Sequence, residues 1–426
     1  MIKKNLDPAK KLLPPLVVAV TDVAFGGDGI ARTDGKVIFV EHAVPGETVE
    51  ATVLQDKKRF IRARTTRLLE PAPDAIKAFC PVFGTCGGCD WQHVPYPKQL
   101  GWKADFIRSA LFKNARYEHF EAIRVLPSTR IRDYRNRIKL KARLTPKQTL
   151  EFGYFAKSSH NPVFIESCPI ADPQINTFLA TLKNFRFRKA ASWQGDMEIQ
   201  ALPTQRLIHF MPELPREALS ELRRVFPDDA FEATNPVPFE VDQGIRYATQ
   251  TAQFQQVNLE GNHQLRQWIY DKVIAIEAKT VLDLFCGSGN LSLQLVSPIT
   301  RVWGMELAGK AVETAAFNLK ANGLSNATYK NGPVRELKAI FSDLPKAIDC
   351  IITDPPRQGM DDSLEEILRL RPKHILSVSC DPNTFARDLK LILEQGYEVK
   401  ELFGIDFFPH TYHVETVAHI SRLGPA

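Results

Sequence analysis

The chain has 426 residues, 44% hydrophobic and 24% charged, with a formal net charge of +6, which is a globular composition long enough for roughly two to three domains. The mild net charge hides a split: positions 51 to 150 hold 21 basic and 8 acidic residues, a balance of +13, and the remainder carries −7. A field polarised in this way suits a protein that grips a polyanion with one part and works with another, and it excludes a uniformly acidic or disordered chain.

The N-terminal run Leu12-Leu13-Pro14-Pro15-Leu16 is broken by two prolines and is not read as a signal peptide. No stretch approaches the roughly 18 apolar residues of a membrane span, so the expected location is cytoplasmic, with no membrane partner and no protein partner implied. From Val17 to about Leu69, short β-branched runs (Val17 to Val20, Val37 to Val40, Thr48 to Leu54, Phe60 to Thr66) alternate with turns such as Gly26-Gly27-Asp28-Gly29. Short regular strands with glycine turns predict a small β-barrel or sandwich. The last of them is basic and includes Arg62 and Arg64. Pro71 and Pro73 then mark a linker.

Cys80, Cys86 and Cys89 follow, with five and two residues between them, and Cys168-Pro169 supplies a fourth thiol. Four closely spaced cysteines in a chain with seven fit either a structural zinc or an iron–sulfur cluster, and spacing alone does not choose. His93 nearby reads as a packing residue. A helix is expected near Lys98 to Asn114. Further on, Arg135, Arg137, Lys139, Lys141 and Arg143 alternate with mostly apolar residues. A strand period of two puts five cations on one face and no acid, a surface expected to meet phosphate.

From Thr280 the pattern alternates strands (Thr280 to Phe285, Arg301 to Glu306, Ile348 to Thr353, His374 to Ser379, Thr416 to Ile420) with helices, the sequence form of a doubly wound α/β domain. Three features fall at strand ends: the turn Phe285-Cys286-Gly287-Ser288-Gly289-Asn290 leading to a helix from Leu291, then Glu306, then Asp354-Pro355-Pro356. Glycines there admit a ligand to the backbone, and an acid at the next strand end can accept from ribose hydroxyls. The Gly-x-Gly-x-x-Gly and phosphate-loop spacings are absent, so an adenosine-type pocket is favoured over a pyrophosphate cradle.

Ser379-Cys380-Asp381-Pro382 sets a cysteine after an apolar strand and before a helix, where the helix dipole is expected to lower its pKa. Phe408-Pro409-His410-Thr411-Tyr412-His413-Val414-Glu415 ends in a glutamate among Val414, Val417 and Ala418, where desolvation is expected to raise its pKa. Cys286 and Cys350 read as packing residues.

The glycine turn, Glu306 and Asp354 resemble class I S-adenosylmethionine-dependent methyltransferases. Together with Gln253-Phe254-Gln255-Gln256-Val257-Asn258, Asp-Pro-Pro-Arg, Ser-Cys-Asp-Pro and the His-Val-Glu segment, the chain resembles the RNA uracil C5 methyltransferase family over nearly its whole length. The resemblance implies a Rossmann-like α/β domain over residues 254–426. It further implies an N-terminal oligonucleotide-binding-like barrel (TRAM) over 1–72, and a mixed α+β central domain over 73–253, interrupted by a helix near 95–125 that packs on the catalytic domain. It implies Cys380 as nucleophile and Glu415 as general base, with cofactor contacts from Gln256, Phe285, Asn290, Glu306 and Asp354. It also implies a [4Fe-4S] cluster on Cys80, Cys86, Cys89 and Cys168, with large-subunit 23S rRNA as partner. Arg62, Arg64, Arg135, Arg137, Lys139 and Phe254 are the expected RNA contacts. A tRNA T-loop substrate, a zinc site, and a non-catalytic RNA-binding factor are the open alternatives. The segment Asn331-Gly332-Pro333 departs from the family pattern and leaves its adenine contacts open.

Overall fold

The computed structural model describes residues 14–33, 35–118, 122–188 and 190–424, so Leu12 and Leu13 of the N-terminal run lie outside the described residues. The chain divides into two compact units: Met1–Gly84, Gly88–Trp102 and His410–Tyr412 form one, and Thr85–Gly87, Lys103–Pro409 and His413–Ala426 the other. The boundary expected at 253/254 falls inside the second unit.

In the first unit a six-stranded sheet runs in the order Leu16–Ala19, Thr48–Asp56, Phe60–Glu70, Lys36–Glu41, Gly29–Thr33, Asp22–Val23. Alternation of apolar and polar residues turns Ile38, Val40, Val49, Ala51, Ile61 and Ala63 into one shared core. The strand from Phe60 continues to Glu70, past the Thr66 expected from sequence, with its last five side chains exposed. Downstream, the Gln99 amide donates to the Trp91 and Val94 carbonyls and its oxygen accepts from His410 N–H at 2.8 Å.

The second unit holds two large sheets and a hairpin. The six-stranded sheet has the order Pro162–Phe164, Leu150–Phe155, Arg137–Leu144, Gln194–Ala201, Arg206–Met211, Ala230–Phe231. In strand Arg137–Leu144 the apolar residues Ile138, Leu140, Ala142 and Leu144 are buried, as the alternation predicts.

The eight-stranded sheet runs Ala327–Asn331, Arg301–Glu306, Thr280–Leu284, Cys350–Thr353, His374–Ser379, Glu415–Arg422, Tyr397–Ile405, Val125–Leu126. Its first five strands are mutually parallel, and Glu415–Arg422 enters antiparallel between His374–Ser379 and Tyr397–Ile405. Ala327–Asn331 and Tyr397–Ile405 are not expected from sequence. Their polar and charged residues obscure the apolar run that marks the other strands. Gly304 is needed in this sheet because a Cβ there would overlap the Tyr329 ring.

The helix expected from Leu291 is only a 3-10 turn, Leu293–Leu295. Ser292 is tied to Asp283 at 2.5 Å and to Tyr329 at 2.8 Å, and Pro298 disfavours helical backbone before it. Helices Gly309–Ala321, Ser363–Arg369 and Pro382–Glu394 each fall between successive strands, as the alternation of strands and helices predicts. The Asp381 carboxylate caps the last by accepting from Asn383 N–H, and Pro382 takes its first position.

Helix Tyr96–Ala110 contributes Ile107 to the core of this sheet, with Leu282, Ile351, Ile375 and Phe385, and Leu111 of the following turn joins it. Its Lys103 is fully buried and makes an ion pair with the equally buried Asp406 at 2.5 Å and a hydrogen bond to the Phe408 carbonyl at 3.0 Å. Removing one member of such a pair strands the other charge out of water. Lys103→Met is expected to lower the unfolding free energy by about 3–5 kcal/mol, measured as a fall in the urea midpoint, and Lys103→Met/Asp406→Leu is expected to recover most of it.

Candidate active site

The ladder registers bring the sequence motifs to one rim. Ser379 stands opposite Thr416 in the last pair of the ladder, and Cys380 and Glu415 follow immediately beyond it at the same edge. Thr353 pairs with Ser377 in the parallel ladder, which carries Asp354 to the same edge. Leu284 lies level with both Met305 and Thr353, so Phe285, Glu306 and Asp354 follow side by side. Carboxyl ends of parallel strands are where such sheets bind ligands.

A cleft with about 390 Å3 of free space opens there, lined by Phe254, Gln256, Asp283, Phe285, Gly287, Asn290 and Asp354 among others. Four of the five residues expected to hold a cofactor therefore face one space. The fifth, Glu306, braces its wall by accepting from Gly287 N–H at 3.2 Å and Ala308 N–H at 2.8 Å. Phe285 (φ 64°) and Gly287 (φ 54°) both take left-handed backbone, a strained choice for phenylalanine that bends the chain sharply off its strand. Asn290 and Asn262 exchange reciprocal amide hydrogen bonds at 2.9 Å. Asn331 and Gly332 fold back to donate to the Glu306 carbonyl, so the segment with the unusual Gly-Pro closes over the end of that strand.

Electrostatics at the rim favour neutral groups. Burial pushes the Cys380 thiol up to about 12, with Glu415 and Asp354 adding to the effect and Arg357 opposing it. This corrects the expectation of a lowered thiol: desolvation and two nearby carboxyls outweigh the helix dipole. Glu415 is 4% exposed, and burial, aided by Asp354, pushes its carboxyl up to about 8. Burial likewise raises Asp354 to about 6 and Asp283 to about 7, the latter against a hydrogen bond from Ser292. His413 is held down to about 4, by burial first and then by Arg357, Lys103 and Arg135. Asp283 and Arg357 are not among the residues singled out from sequence. The available signals were an acid inside an apolar strand and a cation directly after Asp-Pro-Pro.

Residues 226–423 match the family model described as tRNA (uracil-5-)-methyltransferase, and residues 16–66 match the TRAM domain. The 23S rRNA (uracil(1939)-C(5))-methyltransferase RlmD of Salmonella typhimurium is 31% identical, over 96% of this chain and 96% of its own. The chain belongs to the RNA uracil C5 methyltransferase family. A further relative, an uncharacterized RNA methyltransferase of Gloeobacter violaceus, is 31% identical over 99% of this chain and 100% of its own. In fold, the tRNA (uracil-54, C5)-methyltransferase of Pyrococcus abyssi matches with a TM-score of 0.73 at 24% identity, covering 95% of this chain and 99% of that one. The fold is thus the class I methyltransferase type with an N-terminal TRAM domain.

In this methyltransferase the alternating basic strand is less open than its sequence implies. Lys139 and Lys141 both pair with Asp196 of the neighbouring strand, and Arg143 pairs with Glu151 at 2.7 Å. Arg137 is largely buried and donates to the Gln253 and Gln255 carbonyls, fixing the loop that carries Gln256 and presents Phe254, 74% exposed, beside the cleft. Arg135 pairs its backbone with Ile170 and Asp172, next to Cys168. In the TRAM domain Arg64 pairs with Glu41 at 2.7 Å, whereas Arg62 is exposed. The acids that answer these cations lie on adjacent strands, out of reach of any reading of one strand.

None of the seven cysteines is in a disulfide. Cys86 bridges to Ala156, and the Tyr154 hydroxyl points at the Cys168 sulfur at 3.9 Å, with both thiols bearing on that phenol. Among the described residues no three or more His, Cys, Asp or Glu side chains are gathered to hold a metal ion. No helix of the described chain is long and apolar enough to cross a membrane.

Raised carboxyls carry a sign for stability. The folded chain binds more protons than the unfolded one between the ordinary carboxylate range and about pH 8, so these groups favour folding at low pH and lose that contribution as the pH rises. Glu415→Gln, neutral throughout, is expected to melt increasingly above the wild type as pH rises from about 5 to 9. Thermal scans showing a constant gap would refute the shifted carboxyl.

Proposed function

We propose that this enzyme methylates C5 of a specific uridine in 23S rRNA through a covalent adduct on Cys380, with Glu415 removing the C5 proton. The observation that carries the reading is the meeting of Cys380, Glu415 and Asp354 at one edge of the sheet, close enough to act on one another's protons, with Asp354 also lining the cleft of the glycine turn. Gln256, Phe285, Asn290, Glu306 and Asp354 would hold S-adenosylmethionine. The fit rests on four of these side chains lining one cleft, on backbone bent to admit a ligand, and on carboxyls at adjacent strand ends. S-adenosylmethionine supplies an electrophilic methyl group on a sulfonium sulfur.

Uracil C5 is a poor nucleophile. The Cys380 thiol gives up its proton to solvent, and addition of its sulfur to C6 breaks the C5–C6 double bond and leaves an enolate whose C5 can take up a methyl. C5 then carries both the methyl and its hydrogen. Glu415 takes that hydrogen as a proton, the double bond re-forms and the C6–S bond breaks, freeing the cysteine. A carboxyl raised toward 8 is a stronger base than an ordinary one, at the cost of being mostly protonated at neutral pH. The base must leave the stack to reach this rim, and exposed Phe254 is suited to stack on the RNA beside it.

The rRNA substrate is supported by the near full-length likeness to RlmD. A second reading, a tRNA T-loop uridine, draws on the fold of the Pyrococcus abyssi enzyme, and methylation of 23S rRNA and tRNA transcripts compared side by side separates the two. Cys380→Ala is expected to lose at least about 1,000-fold in methylation while S-adenosylhomocysteine affinity stays within twofold of the wild type. Glu415→Gln is expected to accumulate a denaturant-stable protein–RNA adduct. The wild-type single-turnover rate should climb as pH rises from about 6.5 to 9, since Glu415 must be ionised to act. An active Cys380→Ala enzyme overturns the mechanism.

We likewise assign Cys80, Cys86, Cys89 and Cys168 to a [4Fe-4S] cluster, whose contribution is a covalent cross-link within the fold. Four half-buried thiols outside any disulfide support it. A cluster carries its own iron and sulfide between its ligands, so they stand wider apart than four sulfurs around one zinc. Anaerobically purified protein is expected to contain iron and acid-labile sulfide in equal amounts, and Cys168→Ser to lose both and melt at lower temperature. Stoichiometric zinc in place of iron overturns the assignment.

A further inference from the structure

A solvent-open groove with about 930 Å3 of free space lies between helix Pro382–Glu394 and the π-helical turn Leu111–Ala115. Lys113, Arg387 and Lys390 line it together with Asn114, Asn383 and Leu391, and no acidic residue does so among the described residues. The three cations differ in their commitments. Arg387 donates to the Gln358 carbonyl at 2.7 Å and pairs with Asp361 and Asp388, so it anchors the loop that follows Asp354. Among the described residues Lys390 pairs only with Glu394, 3.9 Å away and exposed, a pairing of little worth. Lys113 has no carboxylate partner among the described residues.

We propose that this groove binds the phosphates of the RNA strand flanking the target uridine, an inference that rests on the RNA reading above. It begins at Asn383, three residues past the nucleophile, and reaches Lys390, ten residues past it. At 1.5 Å per helical residue the step from Asn383 to Lys390 is roughly 10 Å, room for about three stacked nucleotides at 3.4 Å each. A strand leaving the rim along this helix meets Lys113 beside Asn383, to which Asn114 is hydrogen-bonded, and then Lys390. Uncommitted lysines serve as point charges for phosphate, asparagine amides add donors to its oxygens, and Leu391, 45% exposed, offers an apolar face to a base.

The test uses the full-length Lys113→Glu/Lys390→Glu double variant and a 16-nucleotide oligouridine, with affinity followed by anisotropy from about 50 to 300 mM salt and S-adenosylhomocysteine binding measured by calorimetry. The variant is expected to bind the oligouridine at least about tenfold more weakly at low salt, and its log–log salt dependence to flatten by about 1.4, or about 0.7 for each phosphate no longer neutralised. Binding of S-adenosylhomocysteine should be unchanged, and Lys113→Arg/Lys390→Arg should behave as wild type. An unchanged RNA affinity and salt slope overturns the groove. Failure of the wild type to bind RNA at all overturns the RNA reading instead. Should the charge reversal disturb folding, seen as lost S-adenosylhomocysteine binding, Lys113→Ala/Lys390→Ala reads the same two quantities with the same criteria.

Discussion

Packing acids out of water at the strand ends sets the terms for the rest of this enzyme. Cys380, Glu415, Asp354 and Asp283 stand at or just inside one rim, and Arg357 bears on both the thiol and Glu415 without returning either to its ordinary range. In a medium of low effective dielectric these groups cannot all ionise together, so Cys380 and Glu415 hold their protons at neutral pH. A nucleophile kept as a thiol is inert toward adventitious electrophiles. In the proposed mechanism it becomes reactive only when the arriving uracil and the cationic methyl donor change the balance of charge around it.

Such a site needs a rigid frame, because like-charged carboxyls repel and buried polar groups seek water. The antiparallel insertion of strand Glu415–Arg422 sets Glu415 at the same edge as Cys380, where an all-parallel sheet would have carried that strand's first residue to the opposite edge. Arg137 holds the Gln253 and Gln255 carbonyls, Lys103 and Asp406 tie the long helix to the end of the sheet, and Arg387 fastens the loop after Asp354 to the helix that begins beside Cys380. Each of these cations is committed to position rather than to substrate. The positive charge concentrated in residues 51–150 is therefore only partly available to RNA, and Arg62 and Lys113 are among its open members.

Local patterning makes much of the architecture legible. Five strands of the catalytic sheet, the basic strand with its buried alternate residues and the helix after Cys380 all follow from short-range periodicity and capping, which a single segment expresses by itself. The segment after the glycine turn reads as a helix because its apolar residues look helical, whereas their neighbours Asn290 and Ser292 are committed to distant partners. Strands Ala327–Asn331 and Tyr397–Ile405 are hidden in the sequence because pairing with neighbours, rather than an apolar run, makes them strands.

The sequence by itself determined the glycine turn, the order of the motifs and the candidates for the proposed chemistry, since turns demand particular backbones and chemistry demands particular side chains. Tertiary structure alone decided which cations remain open, because Asp196, Glu41 and Glu151 reach them from other strands. It also decided the direction of the Cys380 shift. A helix dipole can be read from the residues that follow a cysteine, but the burial and the carboxyls that overrule it come from segments 26 and 35 residues away in the chain, at Asp354 and Glu415. Charge acts through space, and only the folded chain sets those distances.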